Sequence, residues 1–199
     1  MLRPARILKA NLKSFLESLA KSKMSKLIGS RLKQIAGIKK INMTKEINNY
    51  INEFETIYNG EPWYGKSLMA VLANANAKDI FKRQNGHGHS AYEVTYHLYA
   101  WRDLLAKRLN GDTKSSIEVN SKQDWPSLPK EQTTTTWNEL IKKIEKNQQE
   151  LVGSLSKWTD ESLDKNFAGT NYSLRTFLNG QIQHDIYHIG QIALAIKNA

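Results

Sequence analysis

Two of the chain's five histidines, His184 and His188, stand one helical turn apart in the run Gln181-Ile182-Gln183-His184-Asp185-Ile186-Tyr187-His188-Ile189-Gly190-Gln191. On a helix that spacing places their β-carbons about 5–6 Å apart, so both imidazoles can reach a single ion. They belong to a polar line, Gln181, His184, His188 and Gln191, which adjoins an apolar stripe of Leu174, Phe177, Leu178, Ile182, Ile189, Ile192 and Ile196. An unpaired buried imidazole or amide costs about 1–3 kcal/mol, so the line requires partners, water or a ligand. An H-x-x-x-H pair alone is more often a hydrogen-bonded core or surface pair than a metal site. His97 shifts that balance, because it sits on the apolar stripe of a second helix and can supply a third ligand. His87 and His89, next to glycine in a loop, are weaker candidates and read as exposed turn residues.

Three neutral imidazoles would leave the full charge of a divalent ion in place and at least one coordination position open, which suits Lewis-acid chemistry or activation of a bound nucleophile. That nucleophile could be water or a small thiol held as thiolate. With no cysteine in the chain, a thiol must arrive with a cosubstrate. Zinc and nickel suit imidazole first, with iron and copper also compatible. No residue is assigned as the catalytic acid or base. Glu93 is one turn before His97 but is expected to cap its helix, and Asp185 and Tyr187 point away from the ligand face. Trp101 reads more readily as core than as pocket wall, and Gly190 as a point of close approach for a backbone or substrate.

The elements that must carry these residues are helices. Ile47, Tyr50, Ile51, Phe54, Ile57 and Tyr58 mark a first face, with Thr44 as cap and Asn59-Gly60 as stop. Residues 63–83 read as a connector with one or two short helices. Ser90 and Glu93 have capping-box spacing and open a second long helix, with Val94, Leu98, Trp101, Leu105 and Leu109 on its stripe and a stop at Asn110-Gly111. Residues 111–133 are polar, hold Pro126 and Pro129, and read as a surface crossover long enough to separate the helices it joins. Thr136 and Glu139 repeat the capping-box spacing for a third helix, and Ser173 can cap a fourth that runs to about Lys197. No useful strand alternation occurs. The expected architecture is an all-α four-helix bundle.

Charge divides the chain unevenly. Residues 1–42 hold 11 of the 29 Lys+Arg and one of the 19 Asp+Glu, a net +10, which leaves 43–199 neutral with 18 of each sign. A neutral body without a recognition motif argues against nucleic-acid binding. The basic leader repeats Leu8, Leu12, Phe15, Leu19 and then Met24, Leu27, Ile28, Leu32, Ile35 at helical steps, so it reads as an amphipathic extension. It fits an organelle presequence, a helix lying on an anionic membrane, or a segment upstream of a start at Met43 that packs poorly on the body. Lys13 and Glu17 interrupt every stretch that could serve as a secretory signal, and the longest apolar runs fall far short of about 20 residues. Together with the absence of cysteine, this points to a reducing compartment, the cytoplasm.

The segment Ser90-Ala91-Tyr92-Glu93-Val94-Thr95-Tyr96-His97-Leu98-Tyr99-Ala100-Trp101, followed by His184-Asp185-Ile186-Tyr187-His188, resembles the DinB-like superfamily of metal-binding four-helix bundles. The resemblance covers 43–199 and leaves 1–42 and the His-Gly-His loop without an inherited role. It implies a divalent metal held by His97, His184 and His188, an up-up-down-down bundle that is frequently a homodimer, and relatives that include thiol S-transferases and a thiol-dependent isomerase. The function expected is therefore small-molecule thiol transfer, or metal-assisted hydrolysis. The alternative is a non-catalytic bundle stabilised by its metal, with any membrane contact made through the extension.

Overall fold

The computed structural model describes residues 21–22, 24–34, 37, 44–76, 79–83, 87–167 and 169–197. The chain divides into two compact units, Met1–Met43 and Thr44–Ala199. In the first unit residues 24–34 are helical, and Met24, Leu27, Ile28 and Leu32 are exposed on that helix. The expectations placed on Leu8, Leu12, Phe15, Leu19, Ile35 and Met43 lie outside the described residues, as does the start of the loop at 84–86. Among the described residues no helix is long and apolar enough to cross a membrane.

The second unit is all-helical: α1 (Lys45–Asn59), a short α2 (Leu68–Leu72), α3 (Ala91–Leu109), α4 (Thr134–Leu155) and α5 (Leu174–Lys197), with a 3-10 turn at Asp160–Ser162. The capping box of α3 forms as its spacing requires. The Ser90 hydroxyl accepts the Glu93 amide at 3.2 Å, and the Glu93 carboxylate accepts the Ser90 amide at 2.9 Å. Ser173 likewise accepts the Thr176 amide at the start of α5. Two other starts differ from expectation. Helix α4 begins at Thr134, because Thr133 and not Thr136 accepts a first-turn amide; Glu139 is exposed and makes no capping box. On α1 the cap position is Thr44, yet the Glu46 and Ile47 amides donate to the Asp160 carboxylate at 3.1 and 2.9 Å. The 3-10 turn therefore ties the start of α1 to the chain 113 residues later.

The long helices bury their stripes in one core, with Phe54 and Ile57 of α1, Leu98 and Leu105 of α3, Ile144 and Leu151 of α4, and Leu178 and Ile192 of α5 all at or near zero exposure. Helix α3 packs on both α4 and α5, and α1 packs on both from the other side, so α1 is diagonal to α3 and α4 to α5. Contacts between helix ends give the directions. Tyr92 meets Trp137 at the starts of α3 and α4, and Asn110 donates to Ser154 at 2.7 Å at their ends, so these two run parallel. Arg102 pairs with Asp185, and Arg108 lies over the Phe177 ring, so α3 and α5 are antiparallel. Tyr50 donates to Asn179 and Arg175 pairs with Glu46, so α1 and α5 run the same way. In chain order this is up, down, down, up, which corrects the up-up-down-down order that the resemblance implied; round the bundle, like-directed helices are neighbours.

The connection 110–133 thus does something other than separate α3 from α4, which are adjacent. Two parallel neighbours need a return path along the whole length of a helix, and the long segment provides it. On the way back it crosses the face of α3 that carries His97.

Candidate metal centre

His97 enters from α3, and His184 and His188 from α5, across the antiparallel contact of those helices. One ring nitrogen from each lies within 4.8 Å of those from the other two. The Nε2 atoms of His97 and His184 face each other at 2.9 Å, and the ring centroids of the three pairs are 4.3–4.9 Å apart. His97 and His188 are each 5% exposed, and His184 is half-buried.

The outer nitrogens show which inner atoms are free to bind. Nδ1–H of His97 donates to Asp124, lying 2.7 Å from its carboxylate Oδ1 and 3.1 Å from its backbone oxygen. Nδ1–H of His188 donates to Gln191 Oε1 at 2.7 Å. Each of these bonds keeps the proton on Nδ1 and turns the Nε2 lone pair inward. His184 Nδ1 is buried without a hydrogen-bond partner among the described residues, 3.9 Å from Asp185 Oδ1. Three inward nitrogens, two of them fixed as neutral acceptors from outside, fit a borderline divalent cation. Burial, followed by the His184 ring, holds the His97 imidazole below its ordinary pKa; Asp124 opposes the shift without cancelling it. Burial and the other two rings push His188 down to about 4. Both shifts favour the neutral imidazole, the form a metal requires.

The rings open on a cavity of about 530 Å³. Its walls come from α3, from the start of α5 and from the crossover, which contributes Val119, Asn120, Asp124 and Trp125. Asp124 organises this side. It is 2% exposed, accepts Trp101 Nε1–H at 2.8 Å and the Asn120 amide at 2.8 Å, and holds His97. Asn120 meets that carboxylate in the left-handed region, at φ 63°, a conformation asparagine tolerates better than most residues. The Trp125 ring stacks on His97 at 4.0 Å and 10°, while its other neighbour, His89, stacks at 3.8 Å and 11°.

Several expectations need correction here. Trp101 is pocket wall as well as core edge, because its indole N–H is turned toward Asp124. His89 is exposed but no mere turn residue, since its ring covers Trp125. Among the described residues a Cβ at Gly190 would meet nothing within 4 Å, so no backbone packs closely there. Glu93 is committed to its cap and to Arg83, and Tyr187 is exposed, as their positions imply. Asp185 faces inward to pair with the fully buried Arg102, which also donates to Gln148; Gln181 donates to Asp185 at 2.8 Å. The residues that sequence reasoning missed are Asp124 and Trp125. The available signal was compositional, an aromatic and a carboxylate beside Pro126 in a stretch otherwise suited to water, where a tryptophan needs cover.

The DinB superfamily family model matches residues 65–192, which include all three histidines and Asp124. The chain belongs to the DinB superfamily, whose members usually bind a divalent metal. No curated protein and no solved structure matches it.

Proposed function

We propose that this protein is a metal-dependent enzyme acting on a small molecule, with His97, His184 and His188 as the ligands of one divalent ion, zinc or nickel. The observation that carries the reading is the convergence of three ring nitrogens within 4.8 Å on the wall of a 530 Å³ cavity. A site that served only to tie helices together would have no use for such a cavity. When bound, the ion supplies Lewis acidity toward a thiol, a water or a polarised substrate group. The chain's own residues supply position. Asp124 and Gln191 hold protons on the outer nitrogens of His97 and His188, so the ligand atoms are set before metal arrives. Trp101 and Trp125 flank His97 and limit the access of water to that side. The reactions proposed are transfer of a low-molecular-weight thiol to an electrophile and hydrolysis, in that order; since the chain offers no thiol of its own, the thiol arrives as a cosubstrate.

A second reading, a metal that only stabilises the bundle, is favoured by one observation: the acids that contact the histidines, Asp124 and Asp185, are both committed to partners within the protein. A screen of thiol conjugation and ester or amide hydrolysis separates the two readings. Turnover that a chelator abolishes and zinc or nickel restores is the expected result. Turnover indifferent to the chelator, or stoichiometric metal with no turnover across the screen, contradicts an enzymatic role.

A further inference from the structure

The walls of the cavity restrict what can enter it. Beyond the histidines they are Trp101, Val119, Trp125, Tyr172 and Phe177, and among the described lining residues there is no Lys or Arg. Apart from the neutral groups of Asn120 and Tyr172, the polar side chains that remain are engaged within the protein. Asp124 is shared among His97, Trp101 and the Asn120 amide; Thr176 bonds Ser173 at 3.0 Å; the Gln181 amide donates to Asp185. The cation lying over Phe177, Arg108, is committed to the Ser115 carbonyl. A charged group on the body of a ligand would thus lose water against indole, phenol and phenyl rings and meet no uncommitted opposite charge, which is unfavourable for either sign. At the mouth, Val119 and Tyr172 are 66% and 61% exposed, two large apolar side chains from separate segments facing water beside the same opening. An apolar ring held against them would remove apolar surface from water.

We infer that the cavity takes an uncharged, ring-bearing small molecule that reaches the three imidazoles through a single donor head, with Val119 and Tyr172 as the residues that select its body. This rests on the metal-dependent reading for the head and on the wall residues alone for the body. The specificity it implies excludes substrates and cosubstrates that carry a second charge distant from the head.

The test uses the full chain loaded with zinc and three hydroxamates, acetohydroxamate, 2-naphthohydroxamate and 6-carboxy-2-naphthohydroxamate, with calorimetric affinities. The naphthyl compound should bind at least tenfold tighter than the acetyl one, and the added carboxylate should remove at least tenfold of that gain. Val119→Asp should weaken the naphthyl compound and leave the acetyl compound unchanged. Equal affinity of the acetyl and naphthyl compounds, or undiminished binding of the carboxylated one, overturns the inference. A parallel pair without the head, 2-methoxynaphthalene and 6-methoxy-2-naphthoate, is titrated against metal-free protein by probe fluorescence. If zinc or all hydroxamates fail to bind, the metal reading falls. Preference for the neutral member of the head-free pair would still uphold the assignment of the walls, and preference for the carboxylate would overturn it.

Discussion

At the scale of single residues, the hydrogen bonds behind the histidines decide how well the inner nitrogens serve as ligands. Asp124 has the most to do, because one carboxylate orients His97, anchors the Trp101 indole and closes the turn at Asn120. Asp124→Asn keeps the shape but loses the charge behind the imidazole, and such partners are worth about 10- to 100-fold in metal affinity. Competition against a chromophoric chelator should show a loss of that size, and unchanged affinity would remove Asp124 from the site. The depressed pKa of His188 has a consequence for the metal-free protein. Its folded value of about 4 lies below the ordinary 6.5, so the unfolded chain binds the additional proton first and stability falls as pH drops from about 6.5 to about 4. Above that window both states are neutral and the effect vanishes. Urea midpoints of metal-free protein at pH 7.5, 6 and 4.5 should decline in that order, and zinc should suppress the decline where it still binds. The histidines were legible in the sequence because helical spacing fixes which side chains share a face. Asp124 was not, because a loop has no period from which a direction can be read.

Among the elements, the crossover between α3 and α4 is the one whose role the sequence concealed. Its length follows from the parallel course of those helices, but its placement of Trp125 between two imidazoles depends on contacts made only in the folded chain. His89 precedes the capping box of α3, and its ring covers one face of Trp125 while His97 covers the other. Removing the His89 ring should loosen this wall without touching any of the three proposed ligands. His89→Ala is expected to release zinc to a chelator several-fold faster than the parent, and His89→Phe, which retains a stacking ring, to restore the slow rate. Equal rates in all three proteins would show that the stack does not hold the site. Helix boundaries were legible where one capping residue had no competitor, as at Ser90 and Ser173. At α4 a run of four threonines, Thr133 to Thr136, offered several caps, and the structure uses the first.

For the folded body as a whole, the four long helices meet at Arg102. Its guanidinium is fully buried, pairs with Asp185 of α5, donates to Gln148 of α4 and lies over the Phe54 ring of α1 at 5.7 Å. The pair sits next to His184 in sequence and therefore fixes the register of α5 against α3. Removing one partner leaves an uncompensated buried charge, so Asp185→Ala should cost about 3–5 kcal/mol, whereas a matched apolar pair, Arg102→Met with Asp185→Leu, should recover most of it. Denaturant unfolding of the three proteins measures this, and a mild single variant would contradict the buried-pair account. The all-helical bundle was legible from apolar periodicity and the superfamily from the residues around His97 and His184. The Arg102 network was not, since nothing in a sequence tells a buried arginine on a helix from a solvated one.

The central claim is that three imidazoles from two antiparallel helices hold one metal ion. Elemental analysis of untagged protein, alongside the single variants His97→Ala, His184→Ala and His188→Ala, tests it most directly. The expected result is about one equivalent of zinc or nickel per chain in the parent and little in each variant, with helical circular dichroism retained throughout. A parent that takes up no divalent metal, or variants that keep a full equivalent, would contradict it.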